Sequence, residues 1–352
     1  MTEGPEPEIL CEVRGNAGLV TLSRPRALNA LTHGMVRELA AALDRWEQDP
    51  TISRVVITGA GEKAFCAGGD IRQLYDLGKV GRQGEARAFW ADEYRLNLRI
   101  KTYPKPYIAL IDGIVMGGGV GVSQPGRYRV AGGRYLFAMP EVGIGFFPDV
   151  GATHFLPRLP GSTGIWLGLT GDRVGAGDAL AIGLATHAVP SARMAELATL
   201  LCDGAVPVKD ALARFAHLPE PAKLAVDRAE LADCYGAGDL SAILATLQSR
   251  AAAGSAFAAK QLDTLRTKSP TSVAIAARQM QVGAGLDFAD AMRTEYRIVS
   301  RIADGHDFYE GVRAVIIDKD NQPRWVPSRI EDVVTADIDA YFAPLGSDEL
   351  RL

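Results

Sequence analysis

The chain has 352 residues, of which 47% are hydrophobic and 23% charged, and its net charge is −4. This length provides one large domain or two, and this composition is ordinary for a soluble globular enzyme. The charge argues against the basic surface of a nucleic-acid-binding protein. No apolar run is long enough to span a bilayer, so we expect neither nucleic acid nor membrane as a partner.

The cysteines and histidines give no sign of a metal or disulfide framework. Four cysteines (Cys11, Cys66, Cys202 and Cys234) lie far apart without a C-x-x-C spacing, which predicts reduced thiols. The five histidines are scattered and lack ligand spacing, so no metal site is expected. The acidic N-terminal segment MTEGPEPEILCEV lacks the features of a secretory signal or a transit peptide, and we therefore expect a cytoplasmic protein.

The chain begins with alternating strand and helix patterns. Residues 18–22 (GLVTL) and 55–59 (VVITG) are typical of strands. Between them, an amphipathic helix is predicted with Thr32 as its N-cap. Its apolar face carries Met35, Val36, Leu39, Leu43 and Trp46. The order strand, helix, strand indicates an α/β architecture.

The middle of the chain continues this pattern with glycine-rich connections. AFCAGGD (64–70) precedes a polar helical segment (83–99) and a strand (107–111), which ends at an Asp112-Gly113 turn. RVAGG (129–133) and YLFAMP (135–140) are typical of short extended pieces. Residues 161–189 indicate helix, turn and helix with glycine stops.

Beyond about residue 191 the sequence becomes alanine-rich and helical. Breaks are predicted at Pro207, at Pro219-Glu220-Pro221 and at Ser269-Pro270. We therefore predict a catalytic core over residues 1–200 and a mainly helical region over residues 201–352 that completes the fold.

The stretch from residue 107 to 158 concentrates the residues suited to chemistry. It holds the triplet Gly117-Gly118-Gly119 and two carboxylates, Glu141 and Asp149. Glycines let the backbone approach a ligand, and carboxylates in apolar sequence are poorly solvated, which raises their pKa. Backbone N–H donors beside partly buried carboxylates are the ingredients of an acyl-transfer site.

Several motifs resemble one enzyme superfamily. KAFCAGGDI, IDGIVMGGGVGVS, LFAMPEVGIGFFPDVG and FLPRLPG are similar to segments of the crotonase (enoyl-CoA hydratase/isomerase) superfamily. The pairing MPE…FPDVG and the tail EGVRAVIIDKDNQPRW resemble its 3-hydroxyisobutyryl-CoA hydrolase branch. The resemblance implies a crotonase-like α/β spiral of ββα units with a helical C-terminal region, often used in oligomerisation. It also implies hydrolysis of a short 3-hydroxyacyl-CoA thioester in valine catabolism, with CoA as part of the substrate and no separate cofactor.

The resemblance assigns roles to four residues at the reacting centre. The N–H groups of Gly69 and Gly118 would stabilise the oxyanion, although each glycine run could instead form a tight structural turn. Glu141 would be the nucleophile or the general base; its structural alternative is to cap the turn after Pro140. Asp149 would bind the substrate hydroxyl; its alternative is to cap the following segment.

Further positions would contact the rest of the substrate. Glu93 matches a substrate-contacting position, although an acidic residue on a polar helix is usually solvated. The resemblance places CoA along the backbone of Ala27, Leu28, Ala67, Asp70 and Ile71. Arg26 would meet a phosphate or serve as an ordinary surface cation.

Three other functions compete with this hypothesis. Enoyl-CoA hydratases use two glutamates, one corresponding to Glu141 and the other to Gly121, which cannot act as acid or base. A hydratase that uses Asp149 instead is the main alternative, and a non-catalytic acyl-CoA-binding protein is the second. The G-x-G-x-x-A in VVITGAGEKA lacks an acidic residue about 20 positions later, so we interpret Gly59-Ala60-Gly61 as a turn rather than a dinucleotide site. The sequence leaves open the acyl group and whether the C-terminal helices form a homo-oligomer.

Overall fold

The structure, a computed structural model, describes residues 7–219, 224–236 and 238–352, with residues 225–227 by backbone only. Its described residues form two units, each built from three separated segments. The first contains residues 7–70, Arg95–Phe137 and 174–219; the second contains Ile71–Tyr94, Ala138–Arg173 and 224–352. This division is not the sequential one over residues 1–200 and 201–352, which stays a prediction.

Ten strands occur in the described residues, most of them short. They are β1 (Ile9–Arg14), β2 (Ala17–Leu22), β3 (Arg54–Gly59), β4 (Ala64–Cys66), β5 (Tyr107–Ile111), β6 (Ile114–Met116), β7 (Tyr128–Ala131), β8 (Leu136–Ala138), β9 (Val174–Gly175) and β10 (His187–Ala188).

Sixteen α-helices occur in the same residues. They are α1 (His33–Gln48), α2 (Ile71–Lys79), α3 (Gln83–Lys101), α4 (Gly118–Gly121), α5 (Ala152–Phe155), α6 (Thr163–Thr170), α7 (Ala176–Ala181), α8 (Met194–Asp203), α9 (Val208–Phe215), α10 (Leu224–Tyr235), α11 (Leu240–Ala252), α12 (Ala256–Arg266), α13 (Pro270–Gly283), α14 (Phe288–Ile302), α15 (His306–Val312) and α16 (Thr335–Phe342). None of the described helices is both long and apolar enough to cross a membrane.

The predicted elements of the N-terminal half are confirmed. Strands β2, β3 and β5 lie where the apolar runs placed them, and Thr32 caps α1 by accepting from the N–H of Met35. Gly171 ends α6 in a left-handed conformation, as the glycine stop predicted.

A six-stranded sheet organises the first unit in the order β1-β2-β3-β5-β7-β10. Its β1–β2 pair is antiparallel, and the other pairs are parallel. Helices α8 and α9 cover it, so that sheet residues such as Val56 and Ile108 share one buried cluster with Leu197 and Leu212. This burial removes apolar surface from water and fixes the strands from which the loops emerge.

Helices dominate the second unit. Ser269 caps α13 by accepting from the N–H of Ser272, and Pro270 occupies the first turn, which confirms the predicted break. Pro207 likewise precedes α9. The third predicted break includes Glu220 and Pro221, which lie outside the described residues.

Candidate active site

Two glycine-rich loops of the first unit emerge side by side from neighbouring strands. Strands β4 and β6 run parallel, with Ala64 opposite Ile114, so the loops that follow them lie at the same edge. A Cβ at Gly119 would overlap the carbonyl oxygen of Cys66. Only glycine allows this approach, and it brings the AGGD loop and the glycine triplet together.

The backbone N–H groups of Gly69 and Gly118 lie on these two loops. In the bridge between Leu31 and Gly69, Leu31 donates to the carbonyl of Gly68 and Asp70 donates to the carbonyl of Leu31, which leaves the Gly69 N–H unused. Gly118 is the first residue of α4, where an N–H has no intrahelical acceptor. Among the described residues, neither N–H has a hydrogen-bond acceptor, so both suit a ligand oxygen.

The segment predicted to hold CoA lies against the first of these loops. The N–H of Ala67 donates to the carbonyl of Leu28 at 3.0 Å, and the N–H of Asp70 donates to the carbonyl of Leu31 at 2.9 Å. The guanidinium of Arg24 contacts the carboxylate of Asp70 at 3.0 Å. The fold thus brings Leu28, Ala67 and Asp70 together.

The remaining residues of the predicted CoA segment are more exposed. Arg26 and Ala27 are exposed in a 3₁₀ turn, and Ile71 begins α2 in the second unit. A buried asparagine missed in the sequence, Asn29, fixes the turn: it adopts φ +57°, and its amide donates to the carbonyls of Ala60 and Ala64.

Glu141 lies in the second unit as the first residue of a 3₁₀ turn, Glu141–Ile144, and is 7% exposed. The turn ends at Gly145, whose φ is +70°, and a Cβ there would overlap the carbonyl of Asp307. The N–H of Ser269 donates to the carbonyl of Val142 at 3.0 Å. The turn therefore rests on α15 and on the start of α13, which fixes the backbone that carries Glu141.

An aromatic cluster follows the same turn. The rings of Trp90 and Phe146 stack at 5.7 Å, and Phe308 lies 5.6 Å from Phe146. Such rings exclude water, and a dry environment strengthens the electrostatic interactions of nearby charges.

Asp149 is buried and hydrogen-bonded from α3. The hydroxyl of Tyr94 donates to Oδ2 of Asp149 at 2.8 Å. Burial raises the pKa of Asp149 to about 7, against the lowering effect of the Tyr94 hydrogen bond. The alternative role as a helix cap is wrong, because Gly151 occupies the N-cap of α5 and no side chain caps it.

Glu93 is also buried, contrary to the alternative of a solvated helix residue. It is 2% exposed, and its Oε1 atom has no hydrogen-bond partner within the described residues. Burial raises the pKa of Glu93 well above its usual value, and the charges of Asp149 and Glu295 raise it further. A buried acid with a raised pKa can hold a proton and donate it in a hydrogen bond.

A third buried acid, Glu295 on α14, was missed in the sequence. It accepts hydrogen bonds from the N–H groups of Gly151 and Thr153, each at 2.9 Å. Its pKa is raised to about 8, mainly by burial and in addition by the charge of Asp149. The sequence could have indicated its burial, because Glu295 lies among Met292, Ile298 and Val299 on the apolar face of an amphipathic helix.

The position of the second hydratase glutamate carries no carboxylate here. Gly121 is buried in α4, and its carbonyl accepts a hydrogen bond from the Asn97 side chain at 3.0 Å. The described residues contain no cluster of three or more potential metal ligands. The chemistry available in the second unit is therefore that of carboxyl groups, one on a rigid turn and three that influence each other.

Comparisons with known proteins agree with this chemistry. The model of the enoyl-CoA hydratase/isomerase family matches residues 17–342. The 3-hydroxyisobutyryl-CoA hydrolase of Xenopus tropicalis, named as mitochondrial, is 46% identical over 98% of this chain and 91% of its own length. The human enzyme of the same name is 42% identical over 98% of this chain and 90% of its own.

Two crystal structures share nearly the whole fold. A carnitinyl-CoA dehydratase from Mycobacterium thermoresistibile is 41% identical with a TM-score of 0.92, covering 98% of both chains. An enoyl-CoA hydratase from Rhodobacter sphaeroides is 41% identical with a TM-score of 0.91, covering 98% of this chain and 100% of the other. The predicted crotonase-like α/β fold is confirmed.

The expected cytoplasmic location is wrong, because the similar hydrolases from Xenopus and human are named as mitochondrial. That expectation depended on N-terminal composition, which does not determine the compartment.

Proposed function

Because this chain belongs to the enoyl-CoA hydratase/isomerase family, we propose that it hydrolyses the thioester of a short 3-hydroxyacyl-CoA, preferably 3-hydroxyisobutyryl-CoA. One structural observation carries the proposal: Asp149 and Glu93 are buried acids whose charges interact, and Glu93 has an oxygen without a partner among the described residues. One acid of such a pair can accept a hydrogen bond from a substrate hydroxyl while the other donates one to it.

The reaction needs a stabilised oxyanion and a carboxylate near the carbonyl carbon. The N–H groups of Gly69 and Gly118 would stabilise the oxygen as its negative charge develops; such a donor contributes about 10²–10³-fold to rate. Glu141 would then attack the carbonyl carbon, or take the proton of an attacking water. The first route gives an anhydride that water later cleaves; the second gives the acid directly.

The leaving group needs little assistance. When the C–S bond breaks, the electron pair leaves with sulfur, and a thiol pKa of about 8.5 makes the thiolate a good leaving group. The proton taken by Glu141 or released from the attacking water can then protonate the thiolate or pass to solvent. One basic carboxylate and two N–H donors are therefore enough for hydrolysis, without a separate acid to protonate the leaving group.

Specificity would come from the acids of the second unit. As a carboxylate, Asp149 accepts a hydrogen bond from the substrate hydroxyl, and a protonated Glu93 donates one to the same oxygen. A substrate without this hydroxyl would leave buried polar groups unpaired, which is strongly unfavourable. A hydroxyl at the third carbon is therefore the feature that the site would select.

The remainder of CoA would bind along the first unit. The backbone of Ala27, Leu28, Ala67 and Asp70 would face the adenine and pantetheine, followed along the chain by Ile71. The exposed Arg26 would meet a phosphate. We further propose that the product belongs to valine breakdown, and that the helical C-terminal region supports a homo-oligomer.

A hydratase is the second candidate, because the two similar crystal structures are described as a dehydratase and a hydratase. Hydration of a double bond by two glutamates requires a second acid, and this chain has Gly121 at that position. A hydratase would have to use Asp149 instead.

Product analysis on a panel of thioesters separates the candidates. We expect free thiol from 3-hydroxyisobutyryl-CoA, with kcat/KM more than about tenfold above that for isobutyryl-CoA, which lacks the hydroxyl. Asp149→Asn should reduce this preference, and 3-hydroxypropionyl-CoA serves as a second hydroxylated substrate. Loss of crotonyl-CoA absorbance without thiol release would establish the hydratase, and binding without turnover would establish an acyl-CoA-binding protein.

A further inference from the structure

The turn that carries Asp149 has a backbone shape that its own sequence does not favour. Val150, a β-branched residue, adopts φ +53°, and Gly151 adopts φ +99°. β-Branched residues rarely occupy the left-handed region, so contacts from elsewhere must maintain the conformation.

Two buried side chains from the C-terminal helices bond this turn. Glu295 on α14 accepts from the N–H of Gly151 at Oε2 and from the N–H of Thr153 at Oε1, each at 2.9 Å. Gln279 on α13 donates from Nε2 to the carbonyl of Pro148 and to Oγ1 of Thr153, each at 2.6 Å. The residues on both sides of Asp149 are therefore fixed by hydrogen bonds.

Glu295 also differs from an ordinary structural hydrogen-bond acceptor. It is fully buried, and a buried acid is costly compared with a neutral amide of the same shape. The titratable groups that interact with it electrostatically are Asp149, Glu93 and Tyr94, while Thr153 and the N–H of Gly151 hydrogen-bond to it. Glu295 thus hydrogen-bonds to the turn and also interacts electrostatically with Asp149 and Glu93, the two acids proposed to bind the substrate hydroxyl.

We propose that Glu295 is a positioning residue for substrate recognition: by accepting the N–H groups of Gly151 and Thr153, it holds the turn in the shape that directs Asp149 to the substrate hydroxyl. The inference rests on the proposed function of Asp149. Gln279 supports the same turn from its other side.

The test is the substrate preference of Glu295→Gln. The variant keeps the side-chain shape but puts an NH₂ donor where one acceptor oxygen stood. At least one of the N–H contacts that Gly151 and Thr153 make with the carboxylate is then lost, and a backbone N–H faces another donor. Small misplacements of a binding group reduce rates strongly, and we expect kcat/KM for 3-hydroxyisobutyryl-CoA to fall about tenfold or more. The value for isobutyryl-CoA should change little, because it has no hydroxyl for Asp149 to bind.

A matched control is Glu349→Gln. Glu349 accepts from the N–H of Leu345 at 3.0 Å and pairs with Arg297 on the same helix α14, but it does not bond the Asp149 turn. This control should keep the wild-type ratio of the two kcat/KM values. Urea midpoints show whether both variants are folded; if Glu295→Gln does not fold, Gln279→Met carries the same test.

An unchanged ratio in Glu295→Gln, or an equal loss with both substrates, would overturn the inference in favour of a purely structural role. Absence of thiol release by the wild type would instead contradict the proposed function. In that case the ratio of the dissociation constants of the two thioesters, measured by calorimetry, tests the role of Glu295: a loss of preference supports it, and an unchanged preference overturns it.

Discussion

Tyr94 and Asp149 form a buried pair in which the hydroxyl donates to the carboxylate at 2.8 Å. Burial raises the pKa of Asp149 to about 7, and the Tyr94 hydrogen bond opposes this rise by favouring the ionised form. If the ionised form accepts the substrate hydroxyl, kcat/KM should increase with pH through this value.

Tyr94→Phe should move this acidic limb of the pH profile to higher pH. The variant removes only the hydroxyl that stabilises the ionised carboxylate, so the pKa of Asp149 rises further. The measurement is kcat/KM for 3-hydroxyisobutyryl-CoA as a function of pH, which reports groups of the free enzyme.

Tyr103→Phe is the control for this variant. Its hydroxyl donates to the carbonyl of Leu43 at 2.8 Å and not to Asp149, so its profile should match that of the wild type. A Tyr94→Phe limb that stays in place or moves to lower pH would contradict the assigned role of Asp149.

The sequence identified some of these residues but not their supporting partners. Glu141 and Asp149 were recognisable because two carboxylates in apolar sequence are unusual. Tyr94 and Glu295 were missed because their partners are remote: Glu295 and Gly151 are 144 residues apart. Only the folded chain brings such groups together. The sequence did, however, place an acidic residue, Glu295, on the apolar face of α14, which is unusual and indicates a specific role.

At the scale of elements, the turn Glu141–Ile144 depends on close packing against α15. Gly145 requires a positive φ, and a Cβ there would overlap backbone atoms of Asp307 and Phe308. A Cβ at Gly311 on α15 would likewise overlap the backbone of Ile144. The position of Glu141 should therefore be sensitive to one added methyl group.

Gly145→Ala should lower both stability and kcat, whereas Gly346→Ala should affect stability only mildly. Gly346 also has a positive φ, +63°, but no atom lies within 4 Å of its added Cβ, so the pair isolates the steric overlap. Overpacking costs about 1–3 kcal/mol, which should separate the two variants in urea unfolding. Equal midpoints and equal kcat would show that the contact with α15 does not position Glu141.

Many helices and strands of three or more residues were predictable from the sequence, including the short strands β7 and β8, which overlap the predicted pieces 129–133 and 135–140, whereas strands of two residues were not. The strand over residues 107–111 matches β5, and the helix predicted over residues 83–99 matches Gln83–Lys101. An apolar run ended by the Asp112-Gly113 turn identified the strand, and helix-forming residues without a glycine or proline break after residue 84 identified the helix. The two-residue strands β9 and β10 were missed because pairing with a distant strand, rather than local preference, determines them.

For the whole molecule, the family could be predicted from short motifs, whereas the division of the chain into two units could not. Each unit combines segments that are far apart in sequence, and composition along the chain changes near residue 191 without marking their limits. The compartment was predicted wrongly because N-terminal composition does not determine it, and the similar hydrolases are named as mitochondrial.

The most direct measurement of the central claim is thiol release from 3-hydroxyisobutyryl-CoA by Glu141→Gln. This variant retains the shape of the side chain but can neither attack the thioester nor accept a proton from water. We predict that kcat falls by at least about 10²-fold, as expected on loss of a nucleophile or general base, while Glu349→Gln keeps the wild-type rate. A Glu141→Gln protein that releases thiol as fast as the wild type would contradict the account.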